Sequence, residues 1–196
     1  QTAFNNYDFI QVLYEYDNKQ NEDYSNDYLD ELISAIVTEN IDLAHKISKK
    51  ILLIDPNSQE AKLVSMVKAF NNKKESELEA LRYDNNKNKN DLLEFIFFLK
   101  GKIKSKSDIS NSFLEIVRSS HSNNSTNYSQ NYNFLLFYTS LSMLINNENY
   151  EAIFIKGQLL QMINDHFFAE TTYLKIPEKS DYFIEAQRNI AFKYSR

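Results

Sequence analysis

Residues 149–194 read NYEAIFIKGQLLQMINDHFFAETTYLKIPEKSDYFIEAQRNIAFKY, and the fold is decided here. Apolar residues recur at helical spacing from Tyr150 onward, and small residues fall where two helices would need to approach. Gly157 lies twelve residues before Ala169, with Leu160 between them and Tyr173 and Ile176 beyond. The spacing predicts two consecutive helices. Gly157 on the first lets the second come close, and Tyr173, four residues after Ala169, fills the seam beside the small residue. Pro177 is expected to end the second helix, because a proline pushes the residue before it out of helical conformation.

A second stretch has the same cadence. Ile41-Asp42-Leu43-Ala44 opens a helix carrying Ile47, Ile51 and Leu52, which stops at Asp55-Pro56-Asn57. Ala44 precedes Pro56 by twelve residues, and Tyr28, Leu32 and Ala35 take the packing positions of the preceding helix. These residues together resemble the tetratricopeptide repeat (TPR), a helix-turn-helix unit of about 34 residues used in stacked arrays. Leu32 stands where that family often has glycine or alanine, Ser48 where it prefers an aromatic, and Ile176 in a slot usually held by alanine. The resemblance implies an all-α, right-handed superhelical solenoid of stacked antiparallel helix pairs. It also implies a groove facing a partner, on Leu29, Ile33 and Ile36 of one repeat and Leu63, Val67 and Phe70 of the next. Groove positions that merely face water are usually polar, and all six of these are apolar. Ordinary core is the competing account of the same six, since Lys62 fits badly at a packing position.

Composition supports the helical class. The 196 residues include only two glycines and two prolines, too few for the tight turns of a sandwich, a barrel or a dinucleotide-binding sheet. A hydrophobic content of 42% can bury a core, and 27 aromatics, all Phe and Tyr, can fill gaps between helices. Helices are expected at about 4–16, 26–38, 40–53, 58–71, 74–83, 90–104, 108–119, 132–146, 149–163, 165–176 and 180–194. Asparagines at Thr38-Glu39-Asn40, Asn71-Asn72-Lys73 and Asn146-Asn147-Glu148-Asn149 sit where helices end and tolerate left-handed backbone. Ser107-Asp108 and Ser180-Asp181 supply oxygens for helix starts. The chain is expected to form one TPR-like domain over 1–196. A polar stretch at 121–131 would divide it into subarrays 1–120 and 132–196.

Chemistry is limited by inventory. With Gly101 and Gly157 alone, no phosphate-cradling loop, dinucleotide fingerprint or Gly-x-Ser-x-Gly elbow can be written. His45, His121 and His166 offer no pair at i, i+4 for a helical zinc site, and no cysteine is present for a disulfide or thiolate site. Asp165-His166 reads as a helix start, with Asp165 at the positive end of the dipole. Acids on facing helices would suffice for glycoside hydrolysis, but there is no tryptophan to stack a sugar. The expectation is a protein that is not an enzyme and takes no cofactor and no metal.

Net charge is −5, so nothing attracts a phosphate backbone. Lys100, Lys102, Lys104 and Lys106 would spread around a helix rather than form a basic stripe. Residues 1–31 hold eight acids against Lys19 alone, a solvated lead-in or an acidic face for a basic partner. Asn-x-Ser/Thr triplets at Asn123, Asn124 and Asn127 are glycosylation-type, though 24 asparagines make such triplets common by chance. No segment has about 18 uninterrupted apolar residues, so no transmembrane helix is expected. Gln1 in first position fits either a removed leader or a fragment of a longer chain. The pattern Ile-Pro-x-x-Ser-x-Tyr-Phe-x-x-Ala at Ile176 to Ala186 looks like repeat proteins exported by Gram-negative bacteria, which leans localisation toward the periplasm. Function is then expected to be protein–protein interaction, an adaptor or scaffold gripping a peptide or helix of a partner. A structural subunit built permanently into a larger assembly is the alternative.

Overall fold

A computed structural model of the chain describes residues 8–18, 27–87, 91–122 and 132–193. The acidic lead-in beyond these bounds and the glycosylation-type triplets lie outside the described residues. The architecture is all-helical, with successive helices packed against one another. The chain groups into two compact units, Gln1–Ser105 and Lys106–Arg196. The polar stretch expected as a divider falls inside the second unit, between two helices that pack together.

The first unit comprises α1 (Phe9–Asn18), α2 (Asp27–Val37), α3 (Ile41–Ile54), α4 (Gln59–Asn71), α5 (Glu75–Lys87) and α6 (Asp91–Phe97), then strands β1 (Phe98–Leu99) and β2 (Lys102–Ile103). The second comprises α7 (Lys106–Ser122), α8 (Tyr132–Ile145), α9 (Tyr150–Met162), α10 (His166–Tyr173) and α11 (Phe183–Lys193). Each unit has one helix buried over most of its circumference. In α4 every residue from Ala61 to Val67 is buried, and in α8 every residue from Leu135 to Met143. A helix buried nearly all round must be flanked on both sides, and α4 lies between α3 and α5 as α8 lies between α7 and α9.

Three hairpins close in the same way. After α2, the N–H of Glu39 donates to the Ile36 carbonyl (3.0 Å) and that of Asn40 to the Ala35 carbonyl (2.8 Å). After α4, Lys73 donates to Phe70 (3.0 Å) and Lys74 to Ala69 (2.9 Å); after α9, Asn164 donates to Gln161 (3.0 Å) and Asp165 to Leu160 (2.9 Å). This crossed pair satisfies the orphan carbonyls of a helix end and needs one residue in left-handed backbone. Glu39, Lys73 and Asn164 take it, at φ 63°, 56° and 63°. The asparagines expected to occupy that conformation in the first two turns stand one place to either side. Asn40 instead caps the next helix, accepting from Leu43 N at 3.1 Å. In the turn at 146–149 no residue is left-handed, and Asn149 likewise caps α9.

The hairpins share a register. Seven residues before the left-handed position stand Leu32, Met66 and Gly157, and five after it stand Ala44, Leu78 and Ala169. Both alanines are buried, as the spacing required. In the α9–α10 hairpin the seam is closed by contact between unequal partners: a Cβ built on Gly157 would lie 2.4 Å from Tyr173 Cε1. The Tyr173 ring is wholly buried and its hydroxyl donates to Gln161 Oε1 (2.9 Å) while accepting from Asn189 Nδ2 (3.2 Å). Gln161 Nε2 donates onward to the Asn189 carbonyl (3.2 Å), which ties α9, α10 and α11 together. Burial raises the Tyr173 hydroxyl far above the ordinary phenol range, so it stays a donor.

Several expected boundaries differ by three residues or more, the ends at 83 and 119 reaching Lys87 and Ser122 and the start at 180 moving to Phe183, and two others change the local structure. The helix placed at 90–104 ends at Phe97 and gives way to a two-residue hairpin, Phe98 opposite Ile103 and Leu99 opposite Lys102. Lys100 and Gly101 turn it with φ 49° and 78°, the doubly left-handed turn that suits strand twist. The four alternating lysines are therefore not on one helix at all: Lys100, Lys102 and Lys104 belong to the hairpin and its exit, and Lys106 opens α7. Arg82 of α5 holds the hairpin, its guanidinium 4.4 Å over the Phe98 ring, bonding the Gly101 carbonyl (3.1 Å) and forking onto Glu94 (3.1 and 2.9 Å). In the second unit α10 ends at Tyr173, three residues short of Ile176, because the turn Tyr173–Ile176 forms before Pro177 is reached.

Candidate functional site

The six positions of the expected groove do not form one exposed face. Ile36, Leu63 and Val67 are fully buried, Ile33 and Phe70 half-buried, and Leu29 is 38% exposed. The reason lies in α4, whose flanking by α3 and α5 puts Leu63 and Val67 inside the unit.

A concave surface of different chemistry lies in the second unit. It is an open cleft of about 410 Å³ among the start of α7, the turn at 146–149, the first turn of α9 and the loop before α11. That volume falls within the roughly 300–1,000 Å³ typical of ligand sites. Its walls carry Asn111, Asn149, Tyr150, Asp181 and Tyr182 together with Glu148, Glu151 and Lys179.

Neutral hydrogen bonds fix this frame. Ser110 and Ser142, both fully buried, face each other at 2.8 Å, and each hydroxyl also reaches the other's carbonyl (3.0 and 2.9 Å). Asn149 accepts from Ala152 N (3.2 Å) as the cap of α9 and donates from Nδ2 to Ser110 Oγ (2.8 Å) and Asn111 Oδ1 (3.2 Å). The Asn149 amide thus joins α7 to α9, and the Ser110–Ser142 pair joins α7 to α8. Glu151 is engaged by Arg118, Nη2 at 2.5 Å and Nε at 3.1 Å. On the far wall Ser180 Oγ accepts from Tyr182 N (3.2 Å), and the Tyr182 ring lies 5.4 Å from Phe154. Burial, then the Glu151 and Asp181 carboxylates, push the Tyr182 hydroxyl above its ordinary value, with Arg118 opposing.

The chemistry on offer is amide, hydroxyl and carboxylate, with one ammonium from Lys179. Among the described residues no group of three or more His, Asp or Glu could hold a metal ion. Asp165 caps α10 by accepting from Phe168 N (3.2 Å), and His166 beside it is exposed, an arrangement that opens a helix rather than pairs two groups for proton transfer. No described helix is long and apolar enough to cross a membrane. The cleft residues were visible in the sequence only as punctuation: Asn146-Asn147-Glu148-Asn149 as a turn and Ser180-Asp181 as a helix start. Compared with known proteins, the chain matches no family model, no curated protein and no solved structure.

Proposed function

We propose that the chain is a non-enzymatic protein-interaction module, an adaptor or scaffold of TPR-like helical repeats that holds a polypeptide segment of a partner. The architecture half of this reading draws on the hairpin closures. Glu39 and Lys73 are 34 residues apart, the period of such repeats, and the closure at Asn164 repeats the register of small buried positions. The functional half is carried by one observation, the second unit's open cleft walled by amides and hydroxyls. A peptide backbone needs a donor and an acceptor at every residue, and asparagine supplies both.

The test is capture. Bound to resin, the protein is expected to retain a protein from its native source, and Asp181→Lys combined with Asn111→Leu to lose it while keeping the helical circular dichroism signal. Retention of the same protein by the folded double variant would remove the cleft from the account.

A second reading, a subunit built permanently into a larger assembly, is favoured by large apolar side chains left in solvent. Leu53 is 86% exposed, Phe167 68% and Leu174 63%. Sedimentation of the purified protein separates the two: a stable monomer supports the adaptor, and self-association without a partner supports the subunit.

A further inference from the structure

His45 sits on α3 in a setting built for a neutral ring. Its Nδ1 atom is buried and has no hydrogen-bond partner. On the same face of α3 lie Asp42, three residues before, and Lys49, four after. Lys68 of α4 reaches that face, its Nζ 2.5 Å from Asp42 Oδ1. Ahead of α5, Lys74 binds Glu77 Oε1 at 2.6 Å. The charges bearing on the ring are therefore the cations Lys49, Lys68 and Lys74 and the carboxylates Asp42 and Glu77, both of which are already engaged by a lysine. Asp30 and Glu31 of α2 are not among them.

We propose that His45 is an acid-sensitive joint of the first unit, whose protonation loosens the packing of α3 against α4 and the start of α5. A proton on Nδ1 creates a buried N–H with no acceptor, in surroundings where cations outnumber carboxylates. Burial first, and then Lys49 and Lys68, hold the imidazole below its ordinary value. In the unfolded chain the ring protonates near ~6.5. As pH falls through that value the unfolded state takes up a proton the folded state refuses, and stability declines until the lower folded value is passed. Above the unfolded value both states hold a neutral ring, and it adds no pH dependence. The second unit has no described counterpart, since His166 is exposed at the first position of α10.

The experiment uses the intact chain. Proton NMR titration of the imidazole Cε1–H, assigned with His45→Gln, is expected to give a midpoint below the ordinary histidine value. Amide exchange, corrected for its intrinsic pH dependence, is expected to lose protection in 41–71 between pH 7.5 and 5.0 while 132–173 keeps its own. In His45→Gln that selective loss disappears. A midpoint at or above the ordinary value overturns the proposal, as does an equal loss of protection in the variant. Should His45→Gln fail to fold, His45→Asn takes its place, and the titration of the native chain decides by itself.

Discussion

The α2–α3 and α9–α10 hairpins close with the same pair of crossed hydrogen bonds, yet they fill their seams from opposite sides. In the first, the position seven before the left-handed residue is the large Leu32 and the position nine after it is the small Ser48. In the second the sizes are exchanged, Gly157 and Tyr173. All four are buried, Leu32, Ser48 and Tyr173 at 0% exposure. The comparison teaches that the backbone closure sets where a seam lies, while the sum of side-chain volumes rather than any one residue decides how it is filled. The residue nine after the left-handed position then determines what polar chemistry enters. Ser48 meets Ser65 of α4 at 3.2 Å, whereas Tyr173 carries its hydroxyl to Gln161 and Asn189.

The strongest test of that exchange swaps the sizes. Tyr173→Ser is expected to cost about 3–5 kcal/mol in urea unfolding, through the cavity and the lost hydroxyl bridge. Gly157→Leu should cost about 1–3 kcal/mol or more, because the new side chain enters the space of the Tyr173 ring. The double variant, which recreates the Leu32 and Ser48 pairing, should cost less than the two singles together by roughly 0.5–3 kcal/mol. Plain additivity would show that the two hairpins do not share a packing logic.

Next in size are the ties between helices. Ser110→Ala leaves Asn149 Nδ2 and the Ser142 hydroxyl short of a partner and should cost about 1–3 kcal/mol. Caps come below this: Asn40→Ala should lose about 1 kcal/mol. Asn149→Ala should lose more than Asn40→Ala, since Asn149 also serves α7. Equal losses would mean that the amide's bonds to Ser110 and Asn111 contribute nothing. Smallest is Arg82→Lys, which gives up the fork onto Glu94 but keeps the charge. Both partners are partly in water, so about 1 kcal/mol or less is expected, read as a slight drop in melting temperature.

How much of this was legible in the sequence follows from range. Gly157, Ala169 and Tyr173 could be placed because helical spacing turns position along the chain into position on a face, and Ala44 and Ala35 followed from the same cadence. The hairpin at 98–103 was missed because the apolar run Phe95 to Leu99 reads equally as a helix. The signal present, Lys100-Gly101 after the apolar run, is a local turn whose outcome depends on Arg82, nineteen residues before Gly101. Glu39 and Lys73 were passed over as left-handed residues because neither type favours that backbone; the crossed hydrogen bonds hold them there. The proposed groove depended on which face α4 presents, and a helix buried nearly all round has no free face to read. The cleft was beyond reach for a related reason: its residues come from three separated segments, each of them only a turn or a cap by itself.

The proposed function puts the partner in the polar cleft of the second unit and not on the apolar positions of the first. Capture of the partner by three forms of the purified chain tests it most directly: native, Ile33→Glu and Asp181→Lys, each checked for an unchanged helical signal. Ile33→Glu is expected to capture as the native chain does, and Asp181→Lys is expected to lose capture. Loss on Ile33→Glu with full capture by Asp181→Lys would contradict it and return the binding surface to α2.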